Sequence, residues 1–401
     1  MPTVTLEKRR GRYRAIGNAA LKNNLLAGVG YLELANAGDF AANVWNEIPV
    51  PRHAVILMAI GGPIALLVSL VAARDFYLSR GNVSLLSAER KALLSVSHRD
   101  DKTSAVLGVN ARELGTEAID RMLMDALLGF GALLVGTGTI MAIFGANPKV
   151  YLASNLLSGF VGNGFAAIFG IVNAIWSAYL VYHFQARYTA CLADPDVQTI
   201  QTKLRQRFRR FQWHAATNGI NGLVAAMASM VTAKMWWGYV VLIPCVAIMI
   251  ASNLFWKWKL GYNRPIRENL FDELLDGDKS AQEAAVDDIL ESMVGVEVAR
   301  DALQGLATVS LEALLNFIDE NNLLESFCEY LAAEWPDHSL FTAETVVLSK
   351  EDLMRRTDET AQMEKISRQF LDQNASKLLE HRERYLLELV GEAVFRTRST
   401  I

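Results

Sequence analysis

Cysteine is scarce in this chain, and the motifs of common enzymes are missing from it. The three cysteines, Cys191, Cys245 and Cys328, are far apart and odd in number, so the sequence has no disulfide framework and no zinc-binding spacing. It has no His-Glu-x-x-His, no nucleophile elbow, no phosphate loop and no Gly-x-Gly-x-x-Gly after a strand. We therefore expect neither a metal ion nor a cofactor. A membrane enzyme is the least favoured of three functional classes.

A cleavable secretory signal is also missing. The basic residues near the N-terminus are not followed by a compact apolar core with a small-residue cleavage site. The start Met-Pro-Thr lacks the glycine that N-myristoylation requires, and the final Ser-Thr-Ile is not a prenylation box. We therefore expect any membrane attachment to come from apolar runs within the chain.

Long apolar runs and an uneven distribution of charge are what the sequence has instead. Hydrophobic residues make up 52% of the chain, and its mean hydropathy is +0.18. Residues 1–266 carry 26 basic and 14 acidic side chains, whereas residues 267–401 carry 13 basic and 29 acidic ones. A basic, apolar part followed by an acidic part predicts two regions with different surroundings.

Five apolar runs are long enough to cross a bilayer, for which about 20 helical residues suffice. They are residues 54–73, 122–144, 156–182, 215–231 and 235–256. Trp236 and Trp237 lie at one end of the last run and Trp256 at the other, which is typical of aromatic belts at membrane edges. Residues 76–121 are predicted to be a polar loop that is helical in part.

A sixth run, residues 25–45, is ambiguous because it carries Glu33, Asn36, Asp39 and Asn43. It is either a surface or re-entrant helix, or a crossing helix whose polar stripe faces the bundle interior. If it crosses, the segments outside the spans alternate in Lys and Arg content, with 6, 1, 8, 1, 6, 1 and 4 residues. The positive-inside rule then favours six spans with both termini in the cytoplasm.

Small residues recur at every fourth position of the run 156–182. They are Ser158, Gly162, Ala166, Gly170, Ala174 and Ala178. On a helix these positions form a shallow groove, which Asn163 and Asn173 border. The pattern predicts close packing against other membrane helices, with hydrogen bonds from the asparagines worth about 1 kcal/mol each.

One set of polar side chains could form a pathway through the bundle. The set comprises Glu33, Asn36, Asp39, Asn43 and Asp125. A charge in hydrocarbon is costly, so such residues usually face the bundle interior or a watery path, where they can serve protons or small cations. The alternative is a structural role, with Asp125 forming an interfacial ion pair with Arg121.

A basic connector before the run 215–231 is a second candidate for function. Its basic residues are Lys203, Arg205, Arg207, Arg209 and Arg210. They could bind anionic lipid head groups at about 1 kcal/mol per basic residue, or they could serve only as the topology signal. Because the connector adjoins a membrane helix, we do not expect it to bind nucleic acid.

The remainder of the chain has helical patterning. Its apolar residues have helical spacing, Ser349 with Asp352 resembles a capping box, and no strand alternation of useful length is evident. We expect about five helices there. The predicted fold is all-α, with a basic N-terminal segment (1–24), a transmembrane helix bundle (25–258) and a soluble, acidic, cytoplasmic helical domain (266–401).

Two functional hypotheses follow from this architecture. The leading one is a non-enzymatic, multi-pass membrane protein whose acidic domain binds an unidentified cytoplasmic protein. The alternative is a small-solute or ion transporter or channel that uses the polar stripe and the glycine-rich helices. The sequence does not identify the membrane, the ligand or the oligomeric state.

Overall fold

The computed structural model describes residues 3–9, 11–16, 19–45, 49–95, 101–266, 285–306, 309–336, 338–355 and 360–399. The chain is mostly helical and divides into two compact units. The first, here the helix–strand unit, comprises residues 1–22, 92–106 and 262–397. The second, here the bundle unit, comprises residues 23–91, 107–261 and 398–401.

The described residues of the bundle unit form nine helices, two of which, α3 and α4, also include residues assigned to the other unit. In chain order they are α1 (Leu32–Gly38), α2 (Phe40–Val44), α3 (Arg52–Ser95), α4 (Asp101–Gly115), α5 (Met124–Ala142), α6 (Pro148–Asn155), α7 (Asn163–Leu192), α8 (Gln201–Thr232) and α9 (Gly238–Phe255). A 3₁₀ turn, Ala27–Tyr31, precedes α1, and a second one, Gln198–Ile200, precedes α8. Asn147 caps α6 by accepting a hydrogen bond from the Lys149 amide, and Pro148 occupies the first turn, where its missing amide costs nothing.

Three helices of the bundle unit contain a wide π-helical stretch. These stretches are Thr116–Leu123 between α4 and α5, Leu156–Gly162 between α6 and α7, and Trp256–Leu260 after α9. Helical structure is therefore continuous over Asp101–Ala142, Pro148–Leu192 and Gly238–Leu260. π turns within α-helices are uncommon and are often found at functional sites.

Among the described residues, four helical stretches have the length and apolar composition of membrane spans: Arg52–Ser95, Asp101–Ala142, Pro148–Leu192 and Gly238–Leu260. Their most apolar windows are only 22% to 56% buried inside the protein. Large apolar side chains such as Leu67, Leu70 and Ile175 are more than 60% exposed. Apolar surface on this scale is typical of a membrane protein, because lipid takes the place of water around it.

Neighbouring long helices of the bundle run antiparallel and approach closely at glycines. Gly62 of α3 approaches Gly136 of α5, and Gly131 of α5 approaches Gly162 in the π stretch before α7. Gly170 of α7 approaches Gly222 of α8, and Ala228 of α8 approaches Gly238 of α9. A Cβ atom added at Gly136, Gly131, Gly170 or Gly238 would lie 2.7 to 3.0 Å from a backbone carbonyl of the partner. The helix axes can be this close only because no side chain separates the backbones.

The ambiguous run 25–45 is not one regular helix. It consists of the 3₁₀ turn, α1 and α2, with Asp39 between the two helices at φ −85° and ψ 4°. The run lies antiparallel to the first half of α3 along its whole length. At one end the Leu26 amide donates to the Asp75 carboxylate, in the middle Gly38 meets Gly61, and at the other end Trp45 packs against His53.

The predicted groove of small residues does not stay on one face. Gly162 packs against Gly131 of α5, Gly170 against α8, and Ala174 lies near Gly219 of α8, whereas Ala178 is exposed. A row of every fourth residue winds around a helix of 3.6 residues per turn, so its two ends point in different directions. The stripe therefore serves two neighbouring helices in turn, with the buried Ala166 between them.

The helix–strand unit contains strands that the sequence pattern did not predict. β1 (Thr3–Arg9) pairs antiparallel with β2 (Arg12–Ile16) and with β5 (Thr345–Ser349), while β3 (Ala19–Leu21) pairs with β4 (Arg264–Ile266). Gly11, with φ of +79°, lies in the connection between β1 and β2, where a left-handed conformation favours glycine. The expectation of no useful strand alternation after residue 266 is wrong for β5, where Val346 and Leu348 are buried and alternate with more exposed residues.

Six helices complete the helix–strand unit within the described residues after 266, where about five were expected. They are α10 (Ala285–Leu303), α11 (Leu311–Glu320), α12 (Leu324–Glu334), α13 (Lys350–Met354), α14 (Thr360–Phe370) and α15 (Ser376–Ser399). The last two are joined by the π stretch Leu371–Ala375, and a 3₁₀ turn, Ser339–Phe341, precedes β5. Ser349 and Asp352 form the predicted capping box at the start of α13. Phe327 and Phe370 are fully buried, with ring centroids 5.4 Å apart.

One boundary in the bundle differs from the sequence prediction. The sequence predicts that the run 54–73 is followed by a polar loop, residues 76–121, that is helical in part, whereas α3 continues unbroken to Ser95. Residues 101–123 are helical as well. Apolar composition marks the length of a helix that suits lipid, whereas the helix itself continues through polar residues with good helical propensity.

Candidate functional site: the polar interior of the bundle

A three-residue polar cluster lies where the run 25–45 breaks between α1 and α2. The Tyr239 hydroxyl donates to the Asp39 carboxylate at 2.6 Å, and the Asn43 amide donates to the same carboxylate at 2.8 Å. The Asn43 amide also donates to the Tyr239 hydroxyl oxygen at 2.8 Å. Asp39 is completely buried. The predicted stripe residues Asp39 and Asn43 are therefore brought together, with a tyrosine from α9 as their third member.

Glu33 and Asn36 form a second polar pair on α1. The Asn36 amide donates to the Glu33 carboxylate at 2.8 Å, and both side chains are buried. Within the described part of the chain, Glu33 and Asp39 are hydrogen-bonded only by neutral groups. Burying a carboxylate without a counter-charge is costly in a medium of low dielectric constant. Each group is therefore a candidate to bind a proton or a small cation.

An ion cluster centred on Arg121 lies near the other end of the bundle. The Arg121 guanidinium donates to Asp75 at 3.0 and 3.1 Å, to Glu117 at 2.9 Å and to Asn24 at 2.9 Å. The side chains of Arg121 and Asp75 are 4% and 0% exposed. Asp75 also accepts the amide of Leu26. The cluster thereby ties the start of the polar run to α3 and to the first π stretch.

Asp125 lies beside this cluster, buried next to Asp75 and Arg121. Arg121 directs its N–H groups to Asp75 and Glu117, so the direct pair between Asp125 and Arg121 that the sequence suggests is not what forms. Three carboxyl groups therefore surround one guanidinium. A proton on one of these carboxyl groups, or a further cation nearby, would offset the repulsion among them.

A cavity of about 50 Å³ lies next to the Arg121 cluster. Its lining includes Thr116, Asp120, Ser252 and Asn253, each with at least one buried polar atom that has no partner within the described residues. Trp176 donates to the other carboxylate oxygen of Asp120 at 3.1 Å. Buried polar atoms are normally satisfied, so unpaired atoms facing a small cavity point to water or a cation. The volume suits a few water molecules or one small ion.

The predicted packing asparagines join helices. Asn163 donates to the Ser229 carbonyl at 2.9 Å, so it links α7 to α8. Asn173 donates to the Asn218 carbonyl at 3.1 Å, and the Asn218 amide donates back to Asn173 at 3.2 Å. These contacts have the geometry of interhelical hydrogen bonds that reinforce close packing.

The basic connector separates into residues with different surroundings. Arg207 is buried and donates to the carbonyls of Lys259 and Leu260, so it caps the C-terminal end of the helix that contains α9. Arg205, Arg209 and Arg210 are exposed. Lys203 is partly exposed and is also engaged in a contact.

Comparison of the chain with known proteins does not identify a function for this polar interior. No family model, no curated protein and no solved structure matches this chain. Among the described residues, no group of three or more His, Cys, Asp or Glu side chains is placed to hold a metal ion.

Sequence reasoning missed several members of this interior: Asp75, Glu117, Asp120 and Tyr239. A usable signal was present, because Glu117, Arg121 and Asp125 are spaced by four residues and share one helix face. Tyr239 carried no such signal, since its partner Asp39 is 200 residues away in the chain.

Proposed function

We propose that the chain is a polytopic membrane protein that moves protons or small monovalent cations through its bundle. The observation that carries this proposal is the burial of Glu33 and Asp39 with neutral partners only. An ionisable residue inside a membrane bundle is costly to keep, and such residues usually serve ion or proton paths. The small cavity with unpaired oxygen and nitrogen atoms supports the same function.

The proposal includes six crossings with both termini in the cytoplasm. Two further segments join the four apolar helices in this arrangement. The apolar half of α8, residues 215–231, has no charged residue and lies against α7 and α9. The run 25–45 extends along α3 from the level of Asp75 to that of His53. The alternation of basic segments supports this orientation.

A flux assay on the purified full chain tests the function. Proteoliposomes would carry an imposed gradient of protons, sodium or potassium and contain a fluorescent dye that reports the ion being tested. Asp39→Asn and Glu33→Gln keep the side-chain shape but remove the ionisable group, so the flux should fall to the leak of protein-free vesicles. Asp196→Asn is the matched control, because Asp196 is exposed in the loop between α7 and α8. Its flux should equal that of the wild type.

Two results would contradict the proposal. Wild-type vesicles could show no flux above the leak for any of the three ions. Alternatively, the Asp39 and Glu33 variants could transport as fast as the wild type while eluting as the same monodisperse species.

Interaction through the acidic helix–strand unit remains a second candidate function. The observation in its favour is the exposure of Val294 and Val298, 57% and 62%, one turn apart on α10. The acidic residues Asp287 and Glu291 are exposed on the same helix. A partner would cover the two valines and present basic groups to the acidic ones.

Proximity labelling with the full chain would test this second function. The double variant Val294→Glu with Val298→Glu should lose specific labelled partners. An unchanged set of labelled partners would exclude this surface.

A further inference from the structure

A cleft of about 470 Å³ lies between α7 and α8, beside the packed rings of Phe184 and Phe211. Gln185 and Tyr188 of α7 line one wall, while Arg205, Arg209 and Trp213 of α8 line the other. The side-chain amide of Gln212 donates a hydrogen bond to the side-chain oxygen of Gln185 at 2.8 Å and links the two walls. None of the residues that line the cleft is acidic. The cleft therefore presents positive charge with several uncharged hydrogen-bonding groups.

The two arginines of the cleft are available for a ligand. Arg205 and Arg209 are one helical turn apart, so they lie on the same face of α8 and both are exposed. Neither makes an ion pair or a hydrogen bond with the described part of the chain. Arg207 points the other way and is occupied by the carbonyls of Lys259 and Leu260. Guanidinium groups arranged in this way match the oxygen atoms of a phosphate.

The cleft also changes from polar to apolar along its length. Val181 and Ala216 line its membrane end, where α8 enters its uncharged stretch 215–231. Trp213 lies at the junction and is 64% exposed, as expected for an aromatic ring at the level of lipid head groups. A free phosphate would use only the polar end. A phospholipid would use both ends, with its phosphate on the arginines and its acyl chains beside the apolar residues.

We propose that this cleft is a binding site for an anionic phospholipid, held mainly by Arg205 and Arg209. Lipid binding at this site does not require transport, so the two proposals can be tested separately. Of the five basic residues of the connector, only Arg205 and Arg209 are proposed to bind the lipid phosphate. Each arginine should contribute about fivefold to affinity, which corresponds to about 1 kcal/mol per basic residue near a charged membrane surface, and the pair about 30-fold.

Native mass spectrometry on the full chain, released from nanodiscs, tests the site. The nanodiscs would contain phosphatidylcholine alone or with phosphatidylserine, and a third sample would contain phosphatidylcholine with an excess of inorganic phosphate. The wild type should retain phosphatidylserine in preference to phosphatidylcholine. Arg205→Gln with Arg209→Gln should lower this retention about 30-fold. Arg210→Gln is the matched control, because Arg210 is exposed and does not line the cleft.

The outcomes separate the alternatives. Loss of phosphatidylserine in the double variant with retention in Arg210→Gln would support the site. Equal loss in the Arg210 control would show an unspecific charge effect and overturn the proposal, as would equal retention of both lipids by the wild type. Displacement of the lipid by inorganic phosphate would assign the cleft to a soluble phosphate and overturn the lipid assignment. Even if the double variant does not fold, equal retention of both lipids by the wild type would still overturn the proposal.

Discussion

Replacing Gly170 by alanine should destabilise the bundle, because α7 and α8 touch there. A Cβ atom at this position would lie 2.5 Å from the Cβ of Ala226 and 2.7 Å from the carbonyl oxygen of Gly222. Carbon atoms pack best at about 3.5–4.0 Å, so the two helices would have to separate by about 1 Å. Overpacking of this kind typically costs about 1–3 kcal/mol.

Gly164 provides a matched control on the same helix. A Cβ atom added at Gly164 has nothing within 4 Å. Both substitutions give the same gain in helix propensity, about 1 kcal/mol, so the difference between them isolates the close contact. We expect Gly164→Ala to be as stable as the wild type or slightly more stable. Gly170→Ala should be about 1–3 kcal/mol less stable than Gly164→Ala.

The free energy of unfolding can be compared by reversible denaturation in mixed detergent micelles. Both variants and the wild type should be measured at the same micelle composition, since helix association depends on it. Equal stability of Gly170→Ala and Gly164→Ala would refute the reasoning. It would mean that the backbones of α7 and α8 are not in contact at this position, and the packing role of the small-residue stripe would be lost with it.

Three further predictions concern other parts of the chain. Asn163→Leu should lose the hydrogen bond to the Ser229 carbonyl and destabilise the bundle by about 1 kcal/mol in the same unfolding assay, and unchanged stability would show that this bond contributes nothing. Burial, together with nearby glutamates, raises the pKa of the Cys328 thiol to about 12, so the thiol stays protonated at pH 8, and peptide mapping should find no maleimide on it until the chain is denatured. The sequons at Asn82 and Asn374 should carry no glycan after expression in eukaryotic cells, because the proposed topology places both in the cytoplasm; a glycan on either would reverse that topology.

The apolar part of the fold could be read from the sequence because lipid imposes a length on each helix. The runs 54–73 and 156–182 fall inside helices of the structure, and the run 122–144 extends two residues beyond the helix that ends at Ala142. The ends of those helices could not be predicted, since α3 continues to Ser95 through residues that favour a helix in water as well. Hydropathy reports the part of a helix that suits lipid, and it does not report where the helix stops.

Contacts between distant parts of the sequence were the least predictable. Thr3 pairs with Ser349 in the sheet, and no local pattern in either strand identifies the other. The same holds for Asp39 and Tyr239 in the candidate site. The sequence did place Asp39 and Asn43 in one polar run, because both lie within the short segment 25–45.

Individual roles within a cluster of like residues were also hidden. Arg205, Arg207 and Arg209 alternate along one short stretch, and the sequence treats them as equivalent. The structure buries Arg207 against two carbonyls and leaves the other two exposed. Which side of a helix faces the protein depends on the neighbouring helices, so composition alone cannot distinguish these arginines.

The wide π-helical stretches in the bundle helices have a consequence for the loss of single residues. A π turn holds one residue more than an α turn, so losing a residue from Thr116–Leu123 would leave an ordinary turn with both flanking segments still aligned. Losing a residue from a regular stretch would instead rotate every later side chain by about 100° and turn lipid-facing groups inward. Loss of one residue should therefore be tolerated within Thr116–Leu123 or Leu156–Gly162 and rejected elsewhere in the same helices.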